Sequence, residues 1–434
     1  MNIGRLYKEI YQRAAASSFL KDSTWAVAGN CIGYALLLFA GIIIARILGK
    51  EQFGEYGMVK VTMFQIATFS TFGLSYTVTK FVAEYLTREV CRVPSIARAA
   101  VYITLSTSIL LCILVVIFAE PIARYCNAPS LTMPLRVLGF LIVFRAVSYV
   151  FDGIIGGFKK YRNQGINNIV SGVFFVIISI PFSYYGGLVG ALSALSLYQV
   201  FLSILNARVV LRCVREIKED SKTNSVGMLL NFSLPVAGQE LTYFMVSWLC
   251  PIFIVRYSSL GELGIYNACA QWYSVCLYMP SLLRNVTLSY LSSSSGKPLD
   301  QRKLVNRMLA VNIVFCTVLF AFVFLLSPVI VSLYGDTFVG MRSVLNVLIF
   351  SSIFQSVILV YCDNMVAEGR NWQMFLLRSF RDVLTIVLFV VVLIYYTSEH
   401  SALEFAVIQT VISVVYAILL ASLYRMQHRN IILS

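Results

Sequence analysis

Long apolar runs separated by short polar breaks recur from one end of the chain to the other. Reading the runs between charged or Pro/Gly-rich breaks gives twelve segments, near 19–48, 54–79, 99–119, 135–158, 166–185, 187–207, 229–255, 263–284, 307–332, 342–367, 375–396 and 402–424. Each is close to the roughly 20 residues that an α-helix needs to cross a bilayer. The breaks are too short to fold as separate soluble domains. Ahead of the first segment, Ile3, Leu6, Tyr7, Ile10, Tyr11 and Ala14 recur at helical spacing. That pattern predicts an amphipathic helix over 1–18 lying on the inner membrane surface, with a frayed tail as the alternative.

Composition agrees with the pattern. The 434 residues are 59% hydrophobic and 12% charged, against roughly 25% charged in soluble domains. The predicted class is an all-α polytopic membrane protein. Charge placement tests the segment count. The N-terminus, the even-numbered breaks and the tail carry 26 of the 34 basic residues, while the odd-numbered breaks carry only Arg46, Lys50, Arg124, Arg136, Arg256 and Arg342. By the positive-inside rule both termini are cytoplasmic. The net charge of +14 then reflects topology and contact with anionic membrane lipids, not nucleic-acid binding. The ten cysteines stand singly and the two histidines, His400 and His428, belong to no cluster. Neither a metal site nor a cofactor site is expected.

The chain repeats itself. In "IARILGKEQFGEYG" (44–57) and "VRYSSLGELGIYNA" (255–268), an arginine stands seven residues before a large apolar residue, followed by glycine, any residue and tyrosine. Arg46, Phe53, Gly54 and Tyr56 thus match Arg256, Leu263, Gly264 and Tyr266. "VAGN" (27–30) has a counterpart in "VAGQ" (236–239), and "FDGIIGGFKKY" (151–161) in "CDNMVAEGRNW" (362–372). Matches in the same order at nearly constant offset indicate a duplicated six-segment unit. Copies with an even number of spans run parallel, so the expected architecture is twelve transmembrane helices in two six-helix bundles related by a pseudo-twofold axis along the membrane normal. The expected domains are the interfacial helix 1–18, an N-terminal bundle 19–207, a cytoplasmic linker 208–227, a C-terminal bundle 228–424 and a tail 425–434.

Ionisable groups inside spans are costly and commonly face a cavity. Lys60 lies two turns into the second segment, Arg145 near the middle of the fourth and Glu240 near the middle of the seventh. Asp152 and Asp363 occupy repeat-related positions. Arg46 and Arg256 close the outer ends of the first and seventh segments. Arg46, Lys60, Arg145 and Arg256 would line a cavity with positive charge suited to a phosphate, which guanidinium groups bind bidentately. Each has a plainer reading: Arg46, Arg256 and Lys60 can snorkel to an interface, Arg145 can pair with Asp152, seven residues on along the same helix face, and Glu240 can be a neutral buried carboxyl. As a mid-span carboxylate Glu240 is also a candidate proton or cation site. Gly29, Gly33 and Gly41 permit close helix approach, and Pro235 and Pro251 permit bending.

The opening "FLKDSTWAVAGNCIGYALLLFAGIIIARILGKEQFGEYG" resembles bacterial polysaccharide flippases of the Wzx type. These belong to the multidrug/oligosaccharidyl-lipid/polysaccharide exporter (MOP) superfamily. Leu48, Gly49, Phe53, Gly54 and Tyr56 match the turn that follows the first span in that family. The resemblance implies two bundles that alternate between inward- and outward-open states. It implies a polyprenyl-pyrophosphate-linked oligosaccharide, from an O-antigen, capsule or exopolysaccharide pathway, as cargo. That cargo would pass from the cytoplasmic to the periplasmic leaflet of the bacterial inner membrane. Carried over, pyrophosphate binding falls to Arg46 and Arg256, and with less support to Lys60 and Arg145. Coupling to H+ or Na+ is common in the superfamily; its motif fixes no residue for it, so Glu240 is the candidate by its depth in the span, with Asp152 and Asp363 beside it. The polymerase and chain-length machinery of the same pathway are the implied protein partners. The alternatives are a multidrug exporter of the same superfamily, a lipid II flippase, and a membrane polysaccharide polymerase or ligase. A basic cavity argues against the first, and the lack of room for two extra spans against the second. The longest outer break, about 15 residues over 120–134, is short for the catalytic loop that the polymerase needs.

Overall fold

A computed structural model describes residues 3–125, 129–217, 225–293, 298–395 and 400–433. Side chains are not described for 3–27, 234–243, 281–293 and a few other positions, so the polar and apolar faces expected for 1–18 lie outside the described residues, as does the side chain of Glu240. Among the described residues there are twelve α-helices and no strands. They are α1 (Ile3–Ser70), α2 (Leu74–Arg88), α3 (Val93–Tyr125), α4 (Thr132–Leu138), α5 (Leu141–Gly157), α6 (Tyr161–Arg215), α7 (Ser225–Tyr257), α8 (Leu260–Ser293), α9 (Pro298–Tyr334), α10 (Met341–Ala367), α11 (Asn371–Tyr395) and α12 (Ser401–Leu433).

The apolar segments fall within these helices, but the helices are not cut where the segments are. The first two segments share α1, whose only non-helical residue is Gly49 at φ 71, ψ 171. Two more share α6 across Gly187 at φ 53. The apolar stretches Ala28–Ser70 and Tyr161–Arg215 run to 43 and 55 residues. At 1.5 Å per residue even the shorter is about 65 Å long, roughly twice a bilayer core, so each has room for two crossings once broken at its glycine. The second segment is itself interrupted, because Phe72 (φ 47) and Gly73 (φ 71) take left-handed backbone between α1 and α2. The fourth is bent by 55° between α4 and α5.

Contacts group the chain into two compact units. One comprises Met1–Ala40, Thr62–Ala119 and Thr132–Glu240; the other comprises Gly41–Val61, Glu120–Leu131 and Leu241–Ser434. The chain therefore passes between units inside α1, inside α3 and inside α7, and the units are not simply the two halves of the sequence.

In the first unit the core joins Leu74, Val78 and Val82 of α2, Ile96, Ala100 and Ile103 of α3, Val150 and Ile154 of α5, Val210 of α6 and Leu229 of α7. The glycines of "FDGIIGGF" let α5 lie against α2: a Cβ on Gly153 would stand 2.4 Å from the Ser75 carbonyl oxygen, and one on Gly157 2.7 Å from Val82 Cβ. Hydroxyls use that closeness, with Ser75 donating to the Tyr149 carbonyl (2.9 Å) and Thr79 to the Gly153 carbonyl (2.8 Å). Gly29 and Gly33 of α1 likewise admit α6, since Cβ atoms there would meet Gly165 Cα at 2.6 Å and Asn168 Cβ at 3.1 Å. In the second unit Phe53 stacks on Tyr56 (5.7 Å) and meets Phe338 edge-on (6.2 Å), and Trp272 donates to the Tyr334 hydroxyl at 3.0 Å.

Candidate functional site

Arg145, Tyr149 and Asp152 share one face of α5, at spacings of four and seven residues. The Arg145 guanidinium is close to two rings, 4.7 Å from the centroid of Phe64 and 4.6 Å from that of Tyr149. Such contacts stabilise a cation by about 0.5–2 kcal/mol each while leaving its edge donors unused. Arg145 has no ion pair or hydrogen bond with the described residues, and its Nε is buried without an acceptor. The expected pairing with Asp152 is therefore not formed.

Asp152 is held by amides instead. Its Oδ1 accepts from Gln164 Nε2 and from Asn206 Nδ2, both at 3.1 Å. Asn206 Oδ1 accepts from Asn167 at 2.8 Å, and Asn168 donates to Asn30 Oδ1 of α1 at 2.5 Å. Charge alone did not mark these amides. The signal present in the sequence was "NQGINN" (163–168), an unusually polar entry to an apolar run, and the Asn of "VAGN". Replacing Asn206 by Leu leaves Asp152 one donor and Asn167 without its acceptor. The expected cost is about 2–3 kcal/mol, read as a lower apparent melting temperature in detergent, with Asn206→Asp expected to be worse than Asn206→Leu because it places a second carboxylate against the first.

The remaining basic candidates belong to the second unit. Arg46 is exposed on α1, and a Cβ on Gly335, the residue after α9, would lie 3.8 Å from its Cγ. Arg256 is half-buried; its Nη1 donates to the backbone carbonyl of Tyr125, the last residue of α3, at 3.1 Å, and its guanidinium stands 4.3 Å from the Tyr125 ring. Lys60 is half-buried, with its Nζ 5.9 Å from the Tyr56 ring. Asp363 is buried on α10, at 3% exposure. The structure thus sets Arg46, Lys60, Arg256 and Asp363 in one unit and Arg145 and Asp152 in the other.

The two turns that the repeat relates meet each other. A Cβ on Gly54 would stand 1.8 Å from the Leu260 carbonyl oxygen, and one on Gly264 1.9 Å from the Lys50 carbonyl oxygen. Lys50 and Leu260, like Gly54 and Gly264, are 210 residues apart, so the contact is reciprocal about a local twofold. Arg46 and Arg256 obey the same relation, because Tyr125 and Gly335 are also 210 apart. Each arginine lies at the C-terminal end of the third long helix of the other sequence half.

Arg381 is one of the 26 basic residues that the sequence reading assigns to the N-terminus, the even-numbered breaks and the tail. It lies within α11 instead, with its side chain 13% exposed and paired with Asp382 at 2.6 Å, beside the Tyr416 ring at 5.2 Å. Removing one partner of a buried pair typically costs about 3–5 kcal/mol. Asp382→Ala is expected to cost that much, seen as loss of folded protein at size exclusion, and Arg381→Met together with Asp382→Leu to recover most of it. Among the described residues no group of three His, Cys, Asp or Glu side chains is placed to hold a metal ion.

A model of the polysaccharide biosynthesis protein family matches residues 19–283. The chain belongs to that family. It is 22% identical over 343 residues to the succinoglycan biosynthesis transport protein ExoT of Rhizobium meliloti, covering 77% of this chain and 66% of that one. It is also 22% identical over 314 residues to the stage V sporulation protein B of Bacillus subtilis, covering 67% and 60%. The chain spans just under two thirds of the length of these relatives. An inward-facing MATE-family multidrug transporter of the MOP superfamily matches 92% of this chain and 95% of its own, with TM-score 0.79 at 15% identity. The lipid II flippase MurJ matches 92% and 87%, with TM-score 0.75 at 14% identity. These likenesses establish a MOP-superfamily fold for this family member, and its apolar helices make it a multi-pass membrane protein.

Proposed function

We propose that the protein is a flippase that carries a polyprenyl-pyrophosphate-linked oligosaccharide from the cytoplasmic to the periplasmic leaflet of a bacterial inner membrane by alternating access. The observation that carries this is Arg145. A guanidinium on an apolar helix, close to the Phe64 and Tyr149 rings and making no hydrogen bond or ion pair with the described residues, has donors left for an anion. Burying an ion is expensive unless it is paired, and two adjacent phosphates present the oxygen pairs that a guanidinium fork matches. Arg46 and Lys60 are the further phosphate candidates. Arg256 joins them only when its bond to Tyr125 is released. Family membership points to saccharide export as the setting. For drug export a carboxylate would have to face the cation, whereas Asp152 is already bound by two amides. Asp152 and Asp363 stay candidates for a coupling H+ or Na+, as does Glu240.

Binding tests this before any transport is measured. In nanodiscs, the protein is expected to bind polyprenyl pyrophosphate at least tenfold more tightly than polyprenyl monophosphate, with inorganic pyrophosphate competing. Equal affinity for the two lipids, or binding unchanged by Arg145→Gln, would remove the phosphate site from Arg145.

A further inference from the structure

The ends of α5 and α10 turn in the same way but carry different chemistry. At the first, the Phe158 N–H donates to the Ile154 carbonyl, Lys159 to Gly156 and Lys160 to Ile155; at the second, Glu368 donates to Asn364, Gly369 to Val366 and Arg370 to Met365. Every matching pair is 210 residues apart, so the backbone relates Lys159 to Gly369 and Lys160 to Arg370. That is one position off the alignment of the two sequence phrases, and it leaves Asp152 and Asp363 one position out of register. Both turns need a left-handed residue. The second supplies Gly369 at φ 73, whereas the first places Lys159 there at φ 56, a conformation that costs a residue with a side chain more than it costs glycine.

The charges are used differently too. Arg370 is committed within the protein: its Nη1 donates to Glu368 at 2.9 Å and to Gln427, and its Nε to Gln373 at 3.0 Å. Lys159 and Lys160 are exposed, and among the described residues neither side chain has a hydrogen-bond or ion-pair partner. The position matching Glu368 is Phe158, which packs against the core of the first unit, and the first turn of α6 holds no acid. The charge bias of the sequence puts this turn on the cytoplasmic side. That bias asks for cations here, but not for one in left-handed backbone. Continuing from the turn, α6 carries Arg162, Ile166, Val170, Val173 and Ile177 on one face. The four apolar side chains are exposed. They extend about 16 Å along the helix, roughly half of a bilayer core.

We infer that this turn and the face beyond it bind an anionic phospholipid of the inner leaflet, with its headgroup phosphate on Lys159 and Lys160 and an acyl chain along Ile166 to Ile177. Lysines at the membrane surface attract a lipid phosphate. An apolar stripe one leaflet long adds a seat for the chain that a soluble anion has no use for. The site shares no residue with the Arg145 site and does not depend on the identity of the cargo.

Native mass spectrometry of the purified protein counts retained lipid when phosphatidylglycerol is added in neutral detergent. Lys159→Gly together with Lys160→Gln is expected to weaken retention about tenfold. Arg88→Gln together with Arg92→Gln removes the same charge from residues already paired with Glu84 and Glu89, and is expected to change retention about twofold or less. Equal losses from the two pairs, or no loss from either, overturn the site. Lys159→Gly alone is expected to raise the apparent melting temperature by about 1–2 °C without lipid. It is also expected to lose most of the further rise that phosphatidylglycerol gives the unaltered protein. A lower melting temperature without lipid would make Lys159 a structural residue and overturn the site. If polyprenyl pyrophosphate displaces phosphatidylglycerol at equal concentration, the turn receives cargo and the phospholipid assignment fails.

Discussion

Arg145→Gln is expected to slow transport about 100-fold while leaving the amount of folded protein unchanged. The two parts of this expectation have separate causes. Transport falls because the substitution removes a charge and two donors from the place where a phosphate would sit. Charge-assisted hydrogen bonds contribute about 1.5–3 kcal/mol each, and a net loss of about 3 kcal/mol corresponds to roughly 100-fold. Folding is spared because Arg145 makes no ion pair or hydrogen bond with the described residues and its Nε is already without an acceptor. The ring contacts with Phe64 and Tyr149 are lost, but so is the cost of keeping a charge at a half-buried site. Arg145→Lys keeps the charge without the planar fork and is expected to fall between. The check is transport per folded molecule in proteoliposomes for all three proteins. A loss of folded protein in Arg145→Gln, with transport per molecule intact, would make Arg145 a structural residue.

Gly264→Ala is expected to lower the apparent melting temperature by several degrees by forcing apart the close contact of α1 and α8. One methyl group at this position meets the Lys50 carbonyl oxygen at 1.9 Å, so backbone must give way on α1 or α8. Overpacking costs about 1–3 kcal/mol when side chains can adjust, and backbone meeting backbone belongs at the upper end. Gly54→Ala meets Leu260 in the same way at 1.8 Å and should give a matching loss, because the contact is reciprocal. Gly186→Ala is the control: nothing stands within 4 Å of its Cβ, and no shift is expected there. Thermal unfolding in one detergent compares the three. Equal behaviour of Gly264→Ala and Gly186→Ala would show that the two turns are not in contact in solution.

Much of this was legible in the sequence because a helix in lipid is written in one variable, the run of apolar residues. The positions of the helices, and the repeat that links Arg46 to Arg256, came from that variable and from a spacing of 210. What the runs do not encode is which face of a helix meets which neighbour. The Asp152 amides come from α6, 12 and 54 residues away, and nothing local joins Asn206 to Asp152. Spacing put Arg145 and Asp152 on one face, and rightly; that they take other partners depends on Phe64 of α1 and Gln164 of α6. Arg381 looked like a loop charge because its neutraliser, Asp382, is adjacent in sequence and a pair side by side reads as surface. Gly54 and Gly264 were visible as a repeated phrase, but their meeting face to face is a property of two segments folding against each other. The break at Phe72 and Gly73 was hidden because apolar character continues through it.

Flipping is measured directly with the purified protein in liposomes that contain a polyprenyl-pyrophosphate oligosaccharide, with exposure of the sugar read by a membrane-impermeant reagent. A flippase gives protein-dependent exposure at a rate that falls about 100-fold in Arg145→Gln. Exposure no faster than in protein-free liposomes, with or without an ion gradient, while the same protein exports a cationic dye, would contradict it and leave a drug exporter in its place.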